Sequence, residues 1–404
     1  MSYRKNLFAV TAASFIGFTG FTLVMPFLPL YFQELGVTDV GEIALWSGVS
    51  LGVTPAITAL MAPFWGRLAD RYGRKVMVER SLISFVIVMA AMAFVTQAWH
   101  VFALRALQGL FAGYGALTLT MAADSAPRDR MGHAIGFVQT AQRLGPALGP
   151  IIGGVIAQMA GLRRGFLVTS AFYLVAVLLV QFMYRETVGP REPAAAAGGR
   201  VTFRSVLAFQ NFLLLMGVIF GLQFIDRSFG PVLPLFVSEL GTPPESVTII
   251  SGILFSLAAG AGAVGHQFCG GFLHRASVRT VIAGSAAAGA AGTLLYVLAD
   301  RTAVLFVGTP IFGAAVGVAT TAAYTAAGSV IPPGVRGAGF GVLSTASLAG
   351  LALSPVFNGF LAATSIRAIF VVDTLGMLAL AALVSRLMIT APLPETTAPA
   401  TEEL

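Results

Sequence analysis

Four ionisable residues stand inside runs that are otherwise apolar enough for lipid: Arg105, Arg143, Asp226 and Arg227. Placing a charge at mid-membrane costs at least a few kcal/mol, so such groups are retained for function. A carboxyl there is drawn toward the neutral acid by burial and toward the carboxylate by a nearby guanidinium, and that competition is what a proton switch requires. Asp226 is therefore the expected proton carrier. Adjacent helical residues do not face each other, so Asp226 and Arg227 are not expected to form a self-contained pair. A permanent pair of Asp226 with Arg105 or Arg143 is the alternative. Three arginines against one aspartate leave this set net positive, which favours anionic or zwitterionic amphiphiles as substrates if it faces a cavity. Arg143 sits beside Gln139 and Gln142.

A second charged cluster has the opposite character. The stretch from Gly66 to Lys75 packs Arg67, Asp70, Arg71, Arg74 and Lys75 with Gly66 and Gly73 between two long apolar runs. It is expected to be a short loop at a membrane face, with glycines permitting a tight turn and the cations held against anionic headgroups. Asp70 needs a cationic or helix N-terminal partner. Asp124, Arg128, Asp129 and Arg130 form a similar cluster, expected as a second gate network or a solvated loop. His266 could titrate near neutrality, although a lone histidine is more often a packing residue.

The elements that hold these residues follow from composition. Of 404 residues, 57% are hydrophobic and 10% charged, against about 25% charged in soluble domains. Apolar runs near the 20 residues that a membrane crossing needs recur about twelve times. They are too long for the roughly 10-residue strands of a barrel, so the expected fold is an all-α membrane protein of twelve transmembrane helices. The first six runs are Leu7 to Phe32, Ile43 to Trp65, Val76 to Thr96, Val101 to Ala123, His133 to Ala160 and Phe166 to Tyr184. The other six are Leu207 to Val237, Val247 to Phe268, Val278 to Leu298, Ala303 to Ala326, Ala338 to Ala363 and Ile366 to Leu387. The run after Asn6 reads as a first span, because it is too long for a cleaved leader. Expected domains are a six-helix bundle over 1–184, a polar linker over 185–204, a second bundle over 205–390 and a flexible tail over 391–404.

Seventeen Lys and Arg fall in loops on the side of the N-terminus, against Arg163, Arg164, Arg301 and Arg367 on the other. That asymmetry predicts both termini in the cytoplasm. The net charge of +7 is therefore topology, not a nucleic-acid surface. The single Cys269 excludes an internal disulfide and a multi-cysteine metal site, and no metal site is expected. No phosphate-binding Gly-x-x-x-x-Gly-Lys-Ser/Thr loop occurs, so ATP is not the expected energy source.

The two halves repeat each other. Pro26-Phe27-Leu28-Pro29-Leu30-Tyr31-Phe32-Gln33-Glu34-Leu35-Gly36 aligns with Pro231-Val232-Leu233-Pro234-Leu235-Phe236-Val237-Ser238-Glu239-Leu240-Gly241. Ser47-Gly48 aligns with Ser251-Gly252, Gly66 and Arg71 with Gly270 and Arg275, and Gly109 and Gly113 with Gly313 and Gly317. Parallel six-helix repeats are an arrangement used for rocking about a central site. The copy at Gly270 to Arg275 lacks the aspartate.

These residues resemble the major facilitator superfamily, in particular its twelve-span drug:proton antiporter branch. Gly66, Asp70, Arg71, Gly73, Arg74 and Lys75 match the family's loop between helices 2 and 3. Arg105 with Gln108, Gly109 and Gly113 resembles the helix 4 motif. Gly145, Pro146, Gly149, Pro150, Gly153 and Gly154 resemble the helix 5 motif of antiporters. Val24 to Tyr31, Trp46-Ser47-Gly48 and Pro63 to Gly66 look most like the MdtG group of multidrug exporters, although Arg143 departs from what that group suggests. The resemblance implies proton-coupled export of small amphiphilic compounds across the inner membrane. It implies a lipid-embedded monomer, no cofactor beyond the proton, and no enzymatic activity. A lipid or nutrient carrier on the same fold is the alternative, a non-transporting receptor or enzyme a more remote one. It further implies a cavity lined by helices 1, 4, 7 and 10, for which Phe18, Phe21, Met25, Arg105, Tyr114, Arg143, Asp226, Arg227 and Tyr324 are candidates. Asp226 and Arg105 would serve proton coupling. Gly66 to Lys75, with Asp124, Arg130 and Arg336, would gate the cytoplasmic side, with Asp70 latching to the start of helix 11.

Overall fold

The computed structural model describes residues 3–127, 131–186, 211–331 and 336–389, apart from the side chains of 63, 67, 70, 116, 131–133 and 336–338. The predicted tail, Arg130 and most of the predicted linker lie outside the described residues. The helices are α1 (Tyr3–Val24), α2 (Leu28–Glu34), α3 (Val40–Tyr72), α4 (Arg74–Met92), α5 (Ala98–Phe111), α6 (Tyr114–Ser125), α7 (Met131–Ala160) and α8 (Leu162–Met183). The second set is α9 (Phe212–Asp226), α10 (Leu233–Glu239), α11 (Pro244–Leu273), α12 (Val278–Leu298), α13 (Thr302–Val330), α14 (Arg336–Ala362) and α15 (Ile366–Leu387). With α1/α2, α5/α6 and α9/α10 each taken as one broken span, they make twelve crossings. Eight of these are helices long and apolar enough to cross a membrane on their own.

Three crossings expected to be continuous are broken, each for a local reason. Between α1 and α2 the chain tightens into a 3₁₀ turn at Met25–Phe27, where Pro26 and Pro29 remove two backbone donors. Between α9 and α10 the chain turns from Arg227 to Val232, with the corresponding Pro231 inside the turn and Pro234 in the first turn of α10. Between α5 and α6, Gly113 adopts φ +127°, a conformation that a residue with a Cβ resists. The frayed carbonyls there are not left bare. Ser81 donates to the Phe111 carbonyl at 2.7 Å and Arg80 donates to it at 3.0 Å.

The loop expected from Gly66 to Lys75 is also different. Helix α3 runs on to Tyr72, and α4 begins at Arg74, leaving Gly73 at φ +93° as the whole connection. Gly66 lies within the helix, so only one of the two glycines makes the turn. The prolines of α7 do not end it either, since it stays helical through Pro146 and Pro150.

The repeat seen in the sequence extends to contacts that the sequence does not reveal. Asn6 Nδ2 donates to the Arg185 carbonyl at 2.8 Å, and Arg185 N donates back to Asn6 Oδ1 at 3.0 Å. Asn211 and Ile389 form the same two-bond clamp at 2.7 and 3.0 Å. Each clamp ties the first helix of a bundle to the end of its last. At the opposite face Arg163 donates to the Ala93 carbonyl and lies over Tyr31, as Arg367 donates to the Val297 carbonyl and lies over Phe236.

Candidate functional site

The bundles meet along two seams, α3 against α14 and α7 against α11, and both are closed only in the half of the protein away from the clamped termini. On the first seam a Cβ at Gly48 would fall on the Pro355 carbonyl, and one at Gly52 would lie 2.5 Å from the Ala352 carbonyl. On the second, a Cβ at Gly252 would fall on the Pro150 carbonyl, and one at Gly154 would lie 2.7 Å from that of Thr248. Ile151 N donates to Ser256 Oγ across the same seam at 3.1 Å, and Gln158 donates to the Glu245 carbonyl at 3.0 Å. Small residues permit this close helix approach. Toward the linker face the contacts stop: Cβ atoms built at Gly66, Gly136, Gly260 and Gly341 would meet nothing within 4 Å. The space between the bundles is thus sealed at one face and open at the face that bears the linker ends.

Into this space the structure brings part of the expected set. Helix α9 ends at Asp226, and Arg227 is already in the turn. The two therefore pair with each other, Arg227 Nε to Asp226 Oδ2 at 3.4 Å. This corrects the expectation that neighbours would not face each other, a rule that holds only while the helix continues. It also displaces the alternative pairing of Asp226 with Arg105 or Arg143. The pair is not buried, with 32% of the Asp226 side chain and 52% of Arg227 exposed. Arg143 lies seven residues from Pro150 and eleven from Gly154, on the face that meets α11, and is exposed. His266 of α11, bonded through Nδ1 to Thr321 Oγ1 at 2.7 Å, lies within electrostatic reach of both Arg143 and Asp226.

Arg105 is not in that group. It is 1% exposed, donates to the Ser50 carbonyl at 3.2 Å and to Gln108, and lies over the Phe21 ring at 5.6 Å. No carboxylate lies within ion-pair distance of it among the described residues. Tyr114 and Met25, expected to line the cavity, are buried in this conformation, Tyr114 against Phe18 and Phe85. Phe18, Phe21 and Tyr324 are half-buried, Tyr324 stacked on Phe340.

In the gate set, Arg74 forms an ion pair with Asp124, and its backbone N donates to Glu186 Oε1 at 2.7 Å. Lys75 donates to the Gln181 carbonyl at 2.8 Å. Asp124 and Gln181 belong to the N-terminal bundle and Glu186 follows directly on its last helix, so this part of the loop is fastened to its own half. Arg71 lies over Tyr72. The side chains of Asp70 and Arg336, and all of Arg130, lie outside the described residues. In the helix 5 motif, Gly145, Gly149 and Gly153 pack onto α1 at Thr19, Thr22 and Leu23, and Gly154 packs onto α11. One stretch thus serves both close packing within the bundle and the seam between bundles.

One ionisable residue was missed. Asp373, in the last crossing, is 0% exposed, and its Oδ2 lies 2.5 Å from Ser228 Oγ. Away from the ends of the crossings, the described residues therefore set three arginines against two aspartates. The signal was present, since Asp373 is the only acid in the run from Ile366 to Leu387.

Two bundles related by an internal repeat, meeting at small-residue seams and parted at one face around a polar centre, define a twelve-crossing membrane fold of paired six-helix halves. The chain belongs to the Major Facilitator Superfamily, whose model matches residues 10–346 and 229–404. It is 35% identical to the multidrug resistance protein MdtG of Yersinia enterocolitica over 64% of this chain and 62% of that protein. It is 34% identical to a multi-drug resistance efflux pump, a PmrA homolog, of Lactococcus lactis over 67% of this chain and 66% of that one. The aligned region thus spans somewhat less than two thirds of either relative. Among solved structures, a bacterial homolog of the human lysosomal transporter Spinster, in an inward-facing and occupied conformation, superposes with a TM-score of 0.77 at 17% identity, covering 97% of this chain and all of that one. A D-xylose–proton symporter superposes with a TM-score of 0.74 at 15% identity, covering 96% and 98%.

Proposed function

We propose that this protein exports small amphiphilic compounds in exchange for protons, acting as an inner-membrane monomer without a cofactor and with both termini in the cytoplasm. The observation that carries the reading is the exposed Asp226–Arg227 pair at the break in the seventh crossing, with His266 in electrostatic reach of both Asp226 and Arg143. A carboxylate paired in one conformation and released in another changes its proton affinity with the conformation, which couples a proton to the transport step. The name of the PmrA-homolog relative, an efflux pump, supports export as the direction, and the excess of basic loops on the linker side supports a cytoplasmic opening. Asp226 and Arg227 cancel, so Arg143, exposed and without an ion-pair partner among the described residues, leaves the cavity net positive. Amphiphiles with an anionic or zwitterionic head fit that field.

The test is proteoliposome transport of a panel of anionic, zwitterionic and cationic amphiphiles under an imposed pH gradient. Wild type is expected to export, and Asp226→Asn is expected to lose gradient-driven transport while still binding substrate. Full gradient-driven transport by the variant removes Asp226 from the coupling role. Gradient-driven uptake in place of export makes the protein a carrier of the opposite direction.

A further inference from the structure

Asp373 presents a proton-counting problem. Its Oδ2 lies 2.5 Å from Ser228 Oγ, and Ser228 Oγ also lies 2.8 Å from the Ile225 carbonyl. A serine hydroxyl has one proton to donate. Against a carboxylate, Ser228 could satisfy one of these two acceptors and would hold the other at contact distance without a hydrogen. Against a carboxylic acid the chain closes: Asp373 donates to Ser228, and Ser228 donates to Ile225. Asp373 Oδ1 has no partner among the described residues, a vacancy that costs far less on a neutral acid than on a buried charge.

Among the described residues, the surroundings offer no charge partner for a carboxylate. Phe229 packs on Tyr296, Phe312 and Phe370 beside the carboxyl, and Thr374 bonds to Thr293 at 2.9 Å. From the seventh crossing, Asp226 and Arg227 face each other. From α12, the Tyr296 hydroxyl bonds to Thr309, while Arg279 stands at the far start of the helix. On α15 itself, Arg367 donates to the Val297 and Ala299 carbonyls and pairs with Glu239 of α10, and Arg386 is at the opposite end. Helix α13 contains no acid or base other than tyrosine, and α14 has only Arg336 at its start.

We propose that Asp373 is a second proton-binding site, loaded as the neutral acid in this conformation and emptied when the break in the seventh crossing rearranges. Ser228, its one partner, sits in the non-helical turn from Arg227 to Val232, where the chain can change shape without disrupting a helix. That turn begins at the water-exposed Arg227. On rearrangement the proton leaves Asp373 Oδ2 for cavity water beside Asp226, and the carboxylate takes up polar contacts that the present packing denies it. The release step rests on the proton-coupled reading above, whereas the loaded state does not.

Infrared spectroscopy of the full chain in lipid nanodiscs tests the loading. The wild-type-minus-Asp373→Asn difference spectrum at neutral pH is expected to contain the carbonyl stretch of a buried carboxylic acid, and Ser228→Ala is expected to shift that band. A difference spectrum without a carboxylic-acid band overturns the proposal. If Asp373→Asn does not fold, Ser228→Ala decides it, because a spectrum unchanged by removing the hydroxyl leaves no bonded acid at this site. Release is read from distances between spin labels on the linker face. In wild type the ratio of open to closed states falls as pH rises, by at most about tenfold per unit for one proton. Asp373→Asn, fixed in the neutral form, is expected to hold the open state into alkaline pH. A variant that follows the wild-type curve overturns release. A carboxylic-acid band in a protein that shows no gradient-driven transport sinks the antiport reading alone.

Discussion

At the scale of single residues, charge in the membrane takes three forms. Arg105 is buried and satisfied by the Ser50 carbonyl, Gln108 and the Phe21 ring. Asp226 and Arg227 neutralise each other in water. Arg143 is exposed with no ion-pair partner among the described residues. The third is the charge that a substrate in the open space would meet directly. One charge at about 8 Å in a medium of effective dielectric near 20 is worth ~2 kcal/mol, and less as water fills the cavity. Arg143→Gln is therefore expected to leave thermal stability unchanged while weakening anionic amphiphiles by about tenfold, with cationic ones unaffected or improved. Competition binding across the panel checks this, and equal losses for both charge classes would remove Arg143 from substrate selection. Arg105→Lys is expected to behave in the opposite way. It lowers the melting temperature, because an ammonium cannot reproduce the guanidinium fork and leaves a buried acceptor short, at a cost of about 1–3 kcal/mol. Which charges lay inside the membrane was largely legible from the sequence. Which faced each other was not: Asp226 and Arg227 meet because the helix ends between them, and nothing in their immediate spacing marks that end. Asp373 was legible but overlooked, and its partner Ser228 could be found only in three dimensions.

At the scale of the elements, the crossings and their repeat follow from apolar length and from the paired Pro-x-x-Pro segments. The breaks do not, because Gly113 resembles many glycines that remain helical, and only its φ of +127° marks it. The same ambiguity covers the small residues of the seams. Gly252 and Gly260 lie on one helix two turns apart, yet a Cβ at the first meets the Pro150 backbone while one at the second meets nothing. Overpacking a tight contact costs about 1–3 kcal/mol. Gly252→Ala is thus expected to loosen the closed seam and raise the population open to the opposite face by tenfold or so, with Gly260→Ala unchanged in this conformation. Cysteine accessibility from each side of oriented vesicles measures both. Equal behaviour of the two variants would mean that the seam does not set the conformational balance.

At the scale of the whole molecule, the two seams prescribe how the open face closes. Along α3 and α14, Gly48 meets Pro355 and Gly52 meets Ala352, so the helices run antiparallel in a fixed register. Continued toward the linker face, that register sets Gly66 opposite Gly337 and Ala338, and it sets Asp70 at the N-terminal end of α14, beside Arg336. Gly66 and Gly341 meet nothing now, and small residues on both sides are what closure requires. A helix N-terminus attracts a carboxylate by about 0.3–1 kcal/mol, and by up to ~2 kcal/mol when partly buried. Neighbouring Arg74 and Lys75 are already bound within their own bundle through Asp124, Glu186 and Gln181. The loop is therefore expected to travel as part of the N-terminal half, with Asp70 as the candidate latch. The C-terminal copy at Gly270 to Arg275 has no aspartate, so such a latch would act from one side only. Asp70→Asn is expected to shift the equilibrium toward the present open conformation by about fivefold to tenfold without disturbing the Arg74–Asp124 pair. Label distances across the linker face read that shift, and an unchanged distribution would remove the latch and leave the loop as a topological turn.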